Sequence, residues 1–193
     1  MISISPLQNV FEEGSFGNVE GKSENEIIKI REIKNIFIYQ IVKYKNSEKK
    51  NIDLKIDGLN FPENLKVNSN SKIRILWMGP NNWLIVSSID LNKIMEKDFL
   101  SNDFAVTNIS HSRSIIELEG KNVNEVIKKG SPFNIDEMEL NTCSNTIFNG
   151  ITITVDNINT NPNLIRILSL RSFGETLYYS ITDACLEFGY KSG

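Results

Sequence analysis

The sequence predicts an α+β fold, mostly antiparallel strands with a few covering helices. Short β-branched and aromatic runs recur along its 193 residues, and two pairs of them flank strong turn signals. Only three segments combine helical spacing with capping residues. A chain of this length folds unaided, as one domain or as two small lobes that share a core.

Taken in order, "IFIYQIVKY" (Ile36 to Tyr44) is short, β-branched and aromatic, which suits a largely buried strand. "KYKNSEKKN" interleaves lysine with polar residues and reads as a solvated loop. "KIRILWMGPNNWLIVSS" is a hairpin turning at Gly79-Pro80-Asn81-Asn82: Pro80 presets φ, the asparagines tolerate turn geometry, and Trp77 and Trp83 can meet across it. Ser88 can cap a helix reaching about Phe99, and "FAVTNISHSRSIIELEG" supplies two strands or one bent strand.

In "NVNEVIKKGSP", Asn122 and Glu125 have capping-box spacing, and Lys128 and Lys129 complement the C-terminal dipole. Gly130 stands where a left-handed cap belongs, and Pro132 prevents continuation. "TCSNTIFNGITITVDNI" turns at Asn149-Gly150, the dipeptide that most readily supplies two positive φ angles. "NLIRILSL" is a further strand. A last helix opens with a Ser172/Glu175 capping box and runs to Gly189, burying Phe173, Leu177, Ile181, Ala184, Cys185 and Phe188 along one side.

Composition excludes several classes. Hydrophobic residues at 40% and charged residues at 23% are globular proportions, against disorder and against a membrane-resident chain. A net charge of -3, with lysines dispersed among glutamates, offers no basic surface for nucleic acid. Cys143 and Cys185 are too few and too distant for a disulfide framework or zinc knuckle, and read as free thiols in a reducing cytosol. The start has neither a basic n-region nor a sustained apolar core, so a cytoplasmic protein is expected.

"NISHSRSIIELEG" (Asn108 to Gly120) holds the only histidine. If the segment is extended, Asn108, Ser110 and Ser112 share one face while Ile109, His111 and Arg113 share the other. His111 then cannot act as base for a neighbouring serine, unless the chain turns there, and a structural or interfacial role outweighs a catalytic one. One histidine and two distant cysteines make no metal-ligand spacing. "GPNNW" and "GKNVNE" lack the pattern of a dinucleotide-binding turn. The pairs Glu117/Glu119 and Glu137/Glu139 mark exposed strand or loop faces rather than an acid and a base. With no catalytic constellation in view, a binding or assembly role is favoured.

Five stretches, in order, resemble the gamma subunit of the heterotetrameric sarcosine oxidases: "WMGPNNWLIV", "NISHSRSIIELEG", "KKGSPFNID", "TCSNT" and "RSFGETLYYSITDACLEFG". Asn108 stands where the family usually has an acid. The resemblance covers residues 76–189 well and residues 1–75 weakly, within a single 1–193 gamma-subunit domain. It implies two linked lobes, similar to the folate-binding domain of aminomethyltransferases. It also implies a non-catalytic chain without site residues for catalysis, cofactor or metal. Partner alpha, beta and delta subunits are expected to carry NAD and tetrahydrofolate, FAD and FMN, and zinc, and together to oxidise sarcosine to glycine with hydrogen peroxide formation and one-carbon transfer. Trp77, Trp83, His111, Arg113 and Tyr178 are the expected interface residues, since Trp, Tyr and Arg most often dominate binding energy. Both tryptophans could equally fill the chain's own core, and Arg113 and Arg171 could equally be internal donors that hold loops. A gamma-like subunit of N-methylglutamate dehydrogenase, or of another demethylating oxidase, and a stand-alone folate-dependent aminomethyltransferase are the competing functions.

Overall fold

The computed structural model describes residues 4–193, and the chain divides into two compact units. Among the described residues, unit 1 comprises 4–34, His111–Leu140 and Ser144–Gly193, and unit 2 comprises Asn35–Ser110 and Asn141–Cys143. In chain order the early strands are β1 (Gly14–Phe16), β2 (Ile28–Glu32), β3 (Phe37–Lys43), β4 (Lys55–Ile56), β5 (Leu59–Asn60), β6 (Val67–Ser69), β7 (Ile73–Gly79) and β8 (Asn82–Ser87). Helix α1 (Asn92–Asp98), β9 (Phe104–Asn108), β10 (Arg113–Glu119), α2 (Val123–Gly130), β11 (Cys143–Phe148), β12 (Ile151–Thr160), β13 (Asn163–Leu170), α3 (Gly174–Cys185) and β14 (Tyr190–Ser192) follow. The expected α+β class of mostly antiparallel strands and few helices is what the chain adopts.

Unit 1 is a seven-stranded sheet in the order β1-β14-β2-β10-β13-β12-β11, with β14 parallel to β2. Alternation along β10 sends Ile116 and Leu118 to the face where Ile30, Val155 and Ile167 also lie. Helix α2 lays Val123, Val126 and Ile127 on that face, and α3 adds Leu177, Tyr178, Ile181 and Cys185. The opposite face carries charge. Glu117 is buried between its cross-strand partners Arg31 (3.2 Å) and Arg166 (2.9 Å), while Glu119 takes Arg31 (2.9 Å) and Lys29 (3.4 Å). The pair Glu117/Glu119 therefore departs from the exposed face expected of it. A strand residue flanked by two arginines can keep its carboxylate charged out of water.

Unit 2 is a five-stranded antiparallel sheet in the order β6-β7-β8-β3-β9. Trp77 and Trp83 are register partners across the β7–β8 hairpin, as its turn residues predict. Tyr39, Ile41, Ile75, Trp83 and Ile85 line the face covered by α1 and by the segment from Leu54 to Phe61. There Trp83 meets Phe61 edge-on at 5.0 Å and donates its indole N–H to Pro62 O at 3.3 Å. Ile38, on β3, is buried on the other side, so apolar residues of that strand fall on both faces.

The hairpin at Asn149-Gly150 has φ of 46° and 82°, as expected. The caps differ from expectation. Helix α1 starts at Asn92 rather than after Ser88, because Ser87 bonds to Ile89 while Asp90 Oδ1 accepts Asn92 N–H (2.8 Å) and the Tyr39 hydroxyl (2.9 Å). Asn122 is the N-cap of α2, yet its side chain makes no capping bond; Glu125 pairs instead with Lys128 at 2.7 Å. Lys129 reaches out of its own helix to Ala184 O at 2.7 Å, near the end of α3. Ser172 lies in a 3-10 turn, Arg171–Phe173, and α3 opens at Gly174 with no side-chain cap. The α-helix ends at Cys185, and the chain turns through Gly189 at φ 72°, where a Cβ would stand 2.4 Å from Asn18 O.

Gly130 is no left-handed cap: it is the last residue of α2, and a Cβ there would meet the buried Phe148 ring at 2.8 Å. Glycine to alanine in a helix ordinarily stabilises by about 1 kcal/mol. Gly130→Ala should instead destabilise by about 1–3 kcal/mol through overpacking, read from denaturant unfolding. The Arg31 guanidinium beside Glu119, helped by Lys29, holds that carboxyl below its usual range. A depressed folded value means stabilisation that is complete above the unfolded carboxyl's titration and lost as pH falls through the folded one. Glu119→Gln should therefore be less stable than the parent at neutral pH, and the two should converge in acid.

Candidate functional site

The segment around the only histidine turns. Strand β9 ends at Asn108, Ser110–Ser112 forms a 3-10 turn, and β10 begins at Arg113, so the segment takes the two-strand reading and the conditional alternation through "NISHS" does not apply. Ser110 Oγ donates to Asn108 Oδ1 (2.7 Å) and accepts the N–H of buried Ile38 (2.8 Å), while Ser110 N–H also donates to Asn108 Oδ1 (3.1 Å). Those bonds hold the end of β9 to the start of β3, and they engage the Ser110 hydroxyl in architecture.

Other motif residues are also engaged in holding the chain. Cys143 Sγ donates to Trp77 O at 3.1 Å, tying "TCSNT" to the tryptophan hairpin. Ser131 and Thr146 hydroxyls meet at 3.1 Å, and Ser131 Oγ accepts Phe133 N–H. Arg171 donates to Ile4 O, the internal donor role that was one of its alternatives. Burial pushes the Cys185 thiol up to about 12, far from a nucleophilic thiolate. Burial likewise raises the hydroxyl of Tyr39, which is already bonded to Asp90 and accepts Leu91 N–H. Among the described residues, no group of three or more His, Cys, Asp or Glu could hold a metal ion.

Of the five expected interface residues, Trp83 at 1% exposure and Tyr178 at 4% sit within the cores of their own units, leaving almost no surface for another chain. The physical reason is strand and helix phase: Trp83 lies on the face of β8 packed by Phe61, and Tyr178 on the sheet side of α3 beside Phe11. Trp77 and Arg113 are half-buried, and His111 is exposed.

Two open cavities accompany these residues. In unit 1, about 700 Å³ opens among His111, Leu170, Arg171, Glu175 and the chain near Ile4 and Asn9, where His111 and Ser112 of one motif face Arg171, Ser172 and Glu175 of another. Its residues come from three distant stretches; the sequence signal that finds it is the pair of motifs. In unit 2, about 440 Å³ lies between α1 and β9, lined chiefly by Tyr39, Met95, Phe99, Phe104 and Val106, with Asn108 at one end.

Ser110→Ala should cost about 1–2 kcal/mol in unfolding experiments, since it strands the buried Ile38 N–H. Asn108→Asp, which restores the acid usual in the resembling family, retains the acceptor oxygen and should fold with the same turn, within about 0.5 kcal/mol of the parent.

Comparison with known proteins bears on this geometry. Residues 52–187 match the family described as "Sarcosine oxidase, gamma subunit family". A chain of the heterotetrameric sarcosine oxidase from Corynebacterium sp. U-96, in complex with pyrrole 2-carboxylate, is similar in structure with a TM-score of 0.80 and 20% identity, covering 96% of this chain and 95% of that one. The glycine cleavage system aminomethyltransferase T from Bartonella henselae is similar with a TM-score of 0.60 and 10% identity; it covers 87% of this chain, which spans about half of its length (48%). No curated protein matches the sequence. At these identities the two structures show a shared fold, aminomethyltransferase-like as the sequence motifs imply. The family match extends over most of the chain, and the protein belongs to the sarcosine oxidase gamma subunit family.

Proposed function

We propose that this chain is the non-catalytic gamma subunit of a heterotetrameric sarcosine oxidase, acting in the cytoplasm with alpha, beta and delta subunits. In this reading the partners supply NAD, FAD, FMN, tetrahydrofolate and zinc, and the complex oxidises sarcosine to glycine with hydrogen peroxide formation and one-carbon transfer. The carrying observation is that Ser110, Cys143, Ser131 and Arg171, all in family-like motifs, hold the chain to itself rather than converging on a reacting centre. Such a chain serves by shape and surface. Trp77, His111 and Arg113, which keep accessible surface, are its contacts with partners; Trp83 and Tyr178 build the body that presents them.

The same role in an N-methylglutamate dehydrogenase or another demethylating oxidase differs only in the partners' substrate. An aminomethyltransferase-like protein that binds folate by itself is favoured by the fold and by the aromatic-lined cavity beside α1. Calorimetry separates the two classes. The isolated chain should give no binding heat with tetrahydrofolate and no turnover of an aminomethyl donor, and it should co-purify with flavin-bearing subunits when co-expressed. Folate binding together with turnover by the chain alone would overturn the subunit reading. His111→Ala should leave flavin content intact while weakening the complex; a complex that stays fully assembled yet stops oxidising amine contradicts the proposal.

A further inference from the structure

Strand β9 ends its sheet: β3 pairs with one side of it, and among the described residues no strand pairs with the other. The register fixes which backbone groups face that open side. Ile109 N–H donates to Ile38 O (2.8 Å) and Tyr44 N–H to Asp103 O (2.9 Å), so the odd-numbered residues of β9 direct their amides and carbonyls at β3. The even-numbered ones point away. Phe104 N–H is taken by Leu100 O at 3.0 Å, which leaves Phe104 O, Val106 N–H, Val106 O and Asn108 N–H along the margin at ladder spacing.

The opposite margin of the same sheet is already occupied. Val67 N–H on β6 donates to Asn141 O, Cys143 N–H donates to Leu65 O, each at 2.8 Å, and Lys66 bridges Thr142, so a passing segment of the chain continues the sheet there. Only β9 lacks such a neighbour.

The cavity of unit 2 adjoins that open margin. Side chains of Phe104, Val106 and Asn108 leave one face of β9, and all three stand in the wall of the 440 Å³ cavity, opposite Met95 and Phe99 of the α1 region. Leu100, 55% exposed, and half-buried Val106 give it apolar surface, and Glu96 is the one charged residue in its wall. A segment laid along β9 sets the residue opposite Val106 on Val106's own face, where its side chain enters the cavity. Alternating donors and acceptors at strand spacing are matched by another extended backbone, and the adjoining pocket selects its side chain.

We propose that β9 docks an extended segment of a partner subunit by strand addition, with a large apolar side chain in the cavity beside α1 and a Lys or Arg close by to meet Glu96. This rests on the subunit reading above and names a surface through which it operates. Backbone bonds fix the segment's direction and register, while the cavity and Glu96 set which sequence fits.

Hydrogen exchange, resolved amide by amide on the full chain alone and in complex with co-expressed partner subunits, tests the docking directly. The Val106 and Asn108 amides should exchange freely in the isolated chain and slow about tenfold or more on assembly, while those of Ala105 and Thr107, turned to β3, are protected in both. Val106→Pro removes one outward N–H and no bond to β3, so the chain should stay folded while affinity for the partners falls about tenfold. Val106→Ala keeps that N–H and should retain more affinity than the proline variant. Glu96→Lys, at an exposed helical position, should fold and weaken assembly about threefold by repelling the basic residue. The proposal fails if the two outward amides are already protected in the isolated chain, or if assembly leaves their exchange unchanged. It fails equally if Val106→Pro and Glu96→Lys both assemble like the parent. Should Val106→Pro unfold the chain, the exchange pattern and Glu96→Lys decide alone. An isolated chain that sediments as a dimer with the same two amides slowed makes the occupant a second copy and overturns the partner assignment. A parent chain that never associates with the partners sinks the subunit reading and this docking with it, whereas the other failures leave that reading standing.

Discussion

In unit 1, one apolar layer between the seven-stranded sheet and helices α2 and α3 sets the position of nearly every polar group that could matter. Ile116, Leu118 and Ile167 from the strands meet Val126, Ile127, Leu177 and Ile181 from the helices, all essentially inaccessible. At roughly 1.5–3 kcal/mol for each large side chain fully buried, that layer outweighs any single polar contact in the unit. Polar side chains are placed by what it demands. Lys129 must reach to Ala184 O because α2 lies beside the end of α3, and Gly130 must stay small because Phe148 fills the space behind it. On the other side of the sheet, Glu117 can be buried only because Arg31 and Arg166 flank it in register.

That priority connects fold to role. Motifs that resemble active-site constellations in a linear reading turn out to close loops and fasten strand ends: Ser110 holds Ile38, Cys143 holds Trp77, and Arg171 holds the chain at Ile4. Leu170 and Phe173 are among the apolar side chains that unit 1 leaves exposed. The proposed role through surface contacts is in keeping with membership of a family named for a subunit.

Much of the fold was legible because it depends on neighbours in sequence. The β7–β8 hairpin follows from Pro80 and two asparagines, the β11–β12 hairpin from Asn149-Gly150, and β3 from a run rich in β-branched and aromatic residues. Readings failed where a distant residue takes the bonding group. Asp90 starts α1 because the Tyr39 hydroxyl, 51 positions away, shares its carboxylate. The turn at Ser110 depends on an N–H from Ile38, 72 positions away, so local alternation could not choose between two strands and one bent strand. Of the site, the motifs were legible singly; their convergence on one cavity with Ile4 and Leu170 was not, since no spacing records it.

The central claim is that this protein contributes assembly rather than chemistry, and an omission experiment tests it most directly. The partner subunits would be expressed with and without this chain, and amine oxidation measured per mole of bound flavin alongside sedimentation of the species present. Adding the chain back should restore the assembled species while the rate per flavin in that species stays the same. Restoration of the rate with no change in assembly state would contradict the account.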